Sequence, residues 1–145
     1  MSVEIEAVQA ATDEIVKAFG RLLPQLSRSA RPLDLTKLGE LVAWDGNTLL
    51  VARREGEIVG ALTLVMFPIP TGRRAWIEDV VVDESARGLG VGAALTQEAV
   101  RLARESGVRT VDLTSRPSRE AANRLYERLG FGLRDSRVYR LAHDE

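Results

Sequence analysis

The sequence contains no cysteine. Disulfides, a thiolate nucleophile and sulfur-rich metal sites are therefore excluded. Histidine is nearly absent too: the single copy is His143, close to the C-terminal end, where a side chain is ordinarily just solvated. Positive charge is not in excess, with 20 Lys+Arg against 21 Asp+Glu and a net charge of -1. Such a chain has no global field to hold nucleic acid, so no nucleic-acid partner is expected. No apolar run is long enough to span a bilayer, and no membrane partner is expected. The first residues lack a basic stretch followed by an apolar one, so no signal peptide is expected and a cytoplasmic location is the default. The chemistry falls to carboxylates, hydroxyls, tyrosine, arginine and backbone amides, with no metal.

What is present suits one folded domain over residues 1–145, with 45% hydrophobic and 28% charged residues. Residues 3–8 alternate loosely and read as a first strand. In 11–26 the apolar residues Ile15, Val16, Phe19, Leu22, Leu23 and Leu26 recur at helical spacing, with Thr12 and Asp13 as cap candidates. Pro24 is expected to kink or end that helix. A second helix is expected over 35–42, capped by Asp34. Residues 47–54 and 57–67 read as strands joined by a tight turn at Glu55-Gly56, and 67–72 as a loop. Residues 74–82 form another strand, whose Val80-Val81-Val82 run suits burial on both faces. A helix over 90–106 ends at Gly107, and a strand follows over 108–114. A helix over 118–129 takes Ser118 as its cap and ends at Gly130, and residues 138–141 are expected to close the sheet. The order β-α-α-β-β-β-α-β-α-β implies an α/β fold, a mixed and mostly antiparallel sheet flanked by helices.

The most informative segment is Asp83-Glu84-Ser85-Ala86-Arg87-Gly88-Leu89-Gly90-Val91-Gly92, between a strand and a helix. Glycines let backbone approach a ligand with positive φ. The helix that follows offers unpaired N–H groups and a positive dipole end. Together these make an anion site suited to a pyrophosphate, and Arg87 adds a forked cation. The structural alternative is a plain glycine-rich strand-to-helix turn. Gly88-x-Gly90-x-x-Ala93 also satisfies the dinucleotide fingerprint, with Asp112 where a ribose-binding acid would lie. Against that stand the residues between strand and glycines, the hairpins in place of repeated βαβ units, and the short chain.

With its glycine loop, the chain resembles the GNAT superfamily of N-acetyltransferases. Arg87, Gly90 and Gly92 fill that family's acetyl-CoA signature, and Ala122-Asn123-Arg124-Leu125-Tyr126-Glu127-Arg128-Leu129-Gly130-Phe131 resembles its C-terminal helix. The resemblance implies that acetyl-CoA is the co-substrate. The main chain of Val80, Val81 and Val82 would pair with its pantetheine arm, and an N–H there, of Val80, would stabilise the oxyanion. Arg87, Gly88, Leu89, Gly90, Val91, Gly92 and Ala93 would hold the pyrophosphate. Many members carry Asn seven residues before the tyrosine; this chain has Arg119 there, and Asn123 stands ready to share cofactor contacts. Tyr126 would protonate the leaving thiolate, its structural alternative being helix packing beside Leu125 and Leu129.

A carboxylate is needed to deprotonate the attacking amine. Glu78, nine residues before Arg87, resembles the glutamate of polyamine acetyltransferases. Asp79 is the neighbouring candidate on the substrate side. Adjacent strand residues face opposite ways, so only one should reach the acceptor, and the structural alternative for either is a pair with Arg73 or Arg74. Without cysteine no cysteine acyl-enzyme can form, so direct attack in a ternary complex is expected. The acceptor is an amine of a small molecule or peptide, and a homodimer is a possible assembly. A non-catalytic acyl-CoA sensor is the alternative in another class, with an RNA-directed acetyltransferase disfavoured by charge.

Overall fold

The structure is a computed structural model that describes residues 2–143. Its elements run β1 (Val3–Ala7), α1 (Asp13–Leu26), α2 (Leu35–Ala43), β2 (Asn47–Arg54), β3 (Glu57–Ile69), β4 (Gly72–Val82), a 3-10 turn (Glu84–Ala86), α3 (Val91–Glu105), β5 (Thr110–Asp112) and α4 (Glu120–Arg128). The chain divides into two units, Met1–Thr114 and Ser115–Glu145.

The first unit holds a sheet in the order β1-β2-β3-β4-β5. Strands β1 to β4 form an antiparallel meander, and β5 joins β4 in parallel after the α3 crossover. This is the mixed, mostly antiparallel sheet that the element order implies. Alternation along β2 sends Leu49 and Val51 to the core under α1 and α2, where Ile15, Phe19, Leu22 and Leu38 pack. Leu50 and Ala52 point the other way and are fully buried. Helix α3 packs across β1 to β4. It approaches closely at Gly60, where a Cβ would lie 2.9 Å from Val91 Cγ1 and 3.2 Å from Leu95 Cδ1.

Local signals account for most boundaries. Thr12 Oγ1 accepts from the Ile15 amide and Asp34 Oδ1 from the Lys37 amide, so both helices start on side-chain caps. Glu55 and Gly56 both have positive φ, the turn that suits a two-residue hairpin. Gly107 follows α3 with φ +75, and the Val108 amide reaches back to the Ala103 carbonyl.

Five expectations need correction. Pro24 does not end α1: it lies inside the last turn, and the helix runs on to Leu26. Residues 67–72 are no loop: Phe67, Pro68 and Ile69 pair with Arg74, Arg73 and Gly72, so only Pro70 and Thr71 turn. Pro68 is tolerated because the β2 ladder stops at Val65, leaving that side of β3 an edge with no bond to lose. Val81 is buried but Val80 and Val82 are half-buried, because β5 flanks only the first part of β4. Helix α4 begins at Glu120 with Arg119 as its cap residue and no side-chain capping bond, so Ser118 does not cap it. Residues 138–141 form no strand. Val138, Tyr139 and Leu141 are exposed, and an alternating segment becomes a strand only when a neighbour completes its ladder.

In the second unit α4 ends in a Schellman motif. The Phe131 amide donates to the Tyr126 carbonyl (3.0 Å), the Gly130 amide donates to the Glu127 carbonyl (3.1 Å), and Gly130 has φ +100. The Phe131 ring meets Tyr126 edge-on at 5.9 Å. The Tyr-to-Gly-Phe spacing thus has a helix-ending reason of its own.

Candidate active site

Strand β4 carries the site. Its ladder with β3 pairs Val82 with Gly60 and Val81 with Ala61, then jumps to Glu78 opposite Thr63. One extra residue has entered β4 at Asp79-Val80, and Asp79 adopts the left-handed conformation with φ +51. This is a β-bulge, with Asp79 where glycine is the usual occupant. Directly paired residues share a face, and Ala61 and Val81 lie in the core under α1 and α2. Thr63, two residues from Ala61, points the same way, and so does its partner Glu78. Glu78 and Val81 therefore share the α1–α2 face, although an unbroken strand would place residues three apart on opposite faces. The bulge takes Asp79 and Val80 out of the β3 ladder. Glu78 and Asp79 are both exposed. Of the two cations weighed for a structural role beside them, Arg73 donates to the Ser106 carbonyl (3.0 Å) and Arg74 to Thr71 Oγ1 (3.4 Å).

The other edge of β4 opens at the same place. The parallel ladder to β5 covers Arg74, Ala75 and Trp76 and stops at Asp112. From Ile77 to Val82 the edge turned away from β3 has no β5 partner. Those residues offer roughly 20 Å of strand edge to an extended ligand.

The chain then enters the glycine loop. The Asp83 amide donates to the Val59 carbonyl (2.8 Å), and Asp83 Oδ1 accepts from the Ser85 amide (3.1 Å), capping the 3-10 turn. Asp83 Oδ2 takes Arg21 Nε at 3.2 Å. The Ser85 amide, with help from Arg21, holds the Asp83 carboxyl below the usual carboxylate range. Gly88 and Gly90 have φ +80 and +83, and a Cβ on either would meet nothing within 4 Å. Glycine is there for backbone conformation, and the space above it is open. The first intrahelical donor of α3 is Ala94, bonded to the Gly90 carbonyl, so the amides of Val91, Gly92 and Ala93 precede the helix ladder. Gly90 is the N-cap residue, and no side-chain capping hydrogen bond closes the helix start. Arg87, Gly88, Leu89 and Gly90 are exposed. An exposed cation, two left-handed glycines and a bare helix N-terminus fit a pyrophosphate.

Tyr126, Asn123 and Arg119 lie in the second unit. Tyr126 is the buried residue of α4. Burial pushes its phenol above the ordinary value, and the Arg119 charge opposes the shift. Asn123 Nδ2 donates to the Arg116 carbonyl (3.0 Å), tying the preceding loop to the helix. The reading of the sequence missed Gly60, although an isolated glycine in a strand is a signal of close backbone approach. It also gave Arg21 and Gln25 of α1 no part in holding the glycine loop, because their contacts to Asp83 and Glu84 span about 60 residues of chain and leave no local sequence signal.

The sequence model described as the acetyltransferase (GNAT) family matches residues 13–131. A mycothiol acetyltransferase of Thermomonospora curvata is 38% identical over 88 residues, covering 61% of this chain and 29% of that protein. A glucosamine 6-phosphate N-acetyltransferase of Trypanosoma brucei brucei is 44% identical over 79 residues, covering 52% of each. The matches thus span under a third of the first relative and about half of the second. The crystal structure of a Trypanosoma brucei acetyltransferase superposes with a TM-score of 0.79 at 28% identity, over 97% of this chain and 99% of that one.

Proposed function

The chain belongs to the acetyltransferase (GNAT) family, and from that premise we propose that it transfers an acetyl group from acetyl-CoA to a primary amine by direct attack in a ternary complex. The observation that carries this reading is the run of β4 from its bulge into the glycine loop. A peptide-like pantetheine arm can extend the sheet along the open edge beyond Trp76. The amides of Val91, Gly92 and Ala93, with Arg87, then meet the pyrophosphate.

Residue roles follow from charge. Glu78 accepts a proton from the acceptor ammonium, directly or through water, freeing the nitrogen lone pair. As the N–C bond forms, the Val80 amide donates to the thioester oxygen where negative charge develops. When the C–S bond breaks, Tyr126 donates its proton to the departing thiolate. A phenol with an ordinary pKa of about 10 carries its proton at neutral pH, and burial shifts Tyr126 further in the same direction. Asp79 sits at the bulge as the second carboxylate on the acceptor side. Arg119 and Asn123 complete the cofactor contacts, with Asn123 shaping the loop before α4. The acceptor is proposed to be an amino sugar. Glucosamine 6-phosphate, named as the acceptor of the trypanosome relative, is the first to assay.

Calorimetry with acetyl-CoA and NAD in separate titrations tests the reading. Acetyl-CoA should bind, Arg87→Ala should weaken it at least tenfold, and NAD should give no heat. Binding of NAD in place of acetyl-CoA would overturn the assignment and move attention to Asp112.

A further inference from the structure

The glycine loop is held from outside. Arg21 and Gln25 lie one turn apart on α1, a helix far from the loop in sequence. Gln25 Oε1 accepts from the Glu84 amide at 3.0 Å. Arg21 Nε donates to Asp83 Oδ2 at 3.2 Å. The same guanidinium donates to the Ile58 carbonyl at 2.6 Å, which fixes its plane. Gln25 Nε2 in turn donates to the Arg21 carbonyl at 3.1 Å, which fixes the amide. Ile58 adjoins Val59, whose carbonyl takes the Asp83 amide. The pair Asp83-Glu84 is thus gripped by α1 on one side and β3 on the other.

We propose that Arg21 and Gln25 are positioning residues that preset the glycine loop in its binding conformation. The inference rests on the reading of the loop as the acetyl-CoA site. The bonds are mostly exposed, so their worth in global stability is small. Their effect falls on the loop. The Arg87 amide bonds only weakly to Glu84 (3.4 Å), and Gly88 and Gly90 follow directly. A segment with two glycines has many conformations to lose on binding. Anchoring the residues before it removes part of that cost in advance, which appears as affinity.

The test uses Gln25→Leu and Arg21→Met in the full chain. Three readouts are taken: amide hydrogen exchange at Glu84 in the free protein, the acetyl-CoA Kd by calorimetry, and the melting temperature. The expected result is faster exchange at Glu84 in Gln25→Leu, a Kd raised about tenfold in either variant, and melting unchanged within a few degrees. Gln25→Glu keeps an oxygen acceptor for the Glu84 amide and should recover much of the protection. Unchanged exchange at Glu84 in both single variants would overturn the clamp, whatever the loop binds. Faster exchange with an unchanged Kd would overturn it as a positioning device. If the wild-type chain bound no acetyl-CoA while Glu84 exchange still rose in the variants, the clamp would stand as a loop anchor and the acetyl-CoA reading would fall.

Discussion

Gly60→Ala sets two effects of opposite sign against each other. Gly60 lacks the positive φ that would bar alanine. Backbone entropy alone would then make alanine about 0.5–1 kcal/mol more stable. Packing argues the other way. The new Cβ would stand 2.9 Å from Val91 Cγ1, 3.1 Å from the Val81 carbonyl oxygen and 3.2 Å from Leu95 Cδ1. Val91 and Leu95 are fully buried, and the Val81 carbonyl belongs to the strand paired with β3, so nothing yields cheaply. Overpacking of this kind costs about 1–3 kcal/mol. The steric cost outweighs the entropic gain, leaving a net loss of about 1–2 kcal/mol and a melting temperature lower by about 3–6 °C. The strain also falls on the site. Val91 opens α3, and its amide is one of the three that precede the helix ladder. Relief by lifting that end of the helix would weaken acetyl-CoA binding too. Ile15→Val, on the opposite face, should cost about 1 kcal/mol and leave affinity unchanged. Thermal melts and calorimetry on the two variants check both points. A Gly60→Ala protein that melts at or above the wild-type temperature would refute the close approach of α3 to β3.

Two further outcomes are expected. Tyr126→Phe should lower kcat by about 100-fold while melting is unchanged, because the edge-on contact with Phe131 survives loss of the hydroxyl; an unaffected kcat would leave the Schellman contact as the tyrosine's whole role. Arg53 bonds Glu14 at 2.6 and 2.8 Å and Glu6 at 2.8 Å, joining α1, β1 and β2. The hydrogen bond from Arg53 holds the Glu14 carboxyl below its ordinary value. A depressed folded-state pKa contributes stability above the unfolded value and loses it as pH falls through the folded one. The urea midpoint of the wild type should therefore fall more steeply than that of Glu14→Gln below roughly pH 4.5, and parallel curves would remove the pair from the pH dependence.

What could be read from the sequence was local chemistry. Thr12, Asp34, Glu55-Gly56, Gly107 and Gly130 each act within a few residues of themselves, and each sits where its own preference puts it. What escaped depends on a partner far along the chain. Whether Val138 to Leu141 is a strand depends on a neighbouring edge, and whether Pro68 belongs to β3 depends on where β2 stops. The bulge is the telling case. Alternation says that Glu78 and Asp79 face opposite ways and that one of them is wasted. The ladder shows instead an inserted residue, visible only by counting both strands together. That insertion sets Glu78 on the face of Val81, takes Asp79 and Val80 out of register with β3, and follows closely on the end of the β5 ladder at Trp76. Such a departure from regular pairing puts Asp79 in the left-handed region, a local strain that unbroken pairing would not impose. The irregularity falls on Glu78, Asp79 and Val80, the residues that charge and motif single out in the sequence, so substitutions at the bulge are where the proposed chemistry is to be tested.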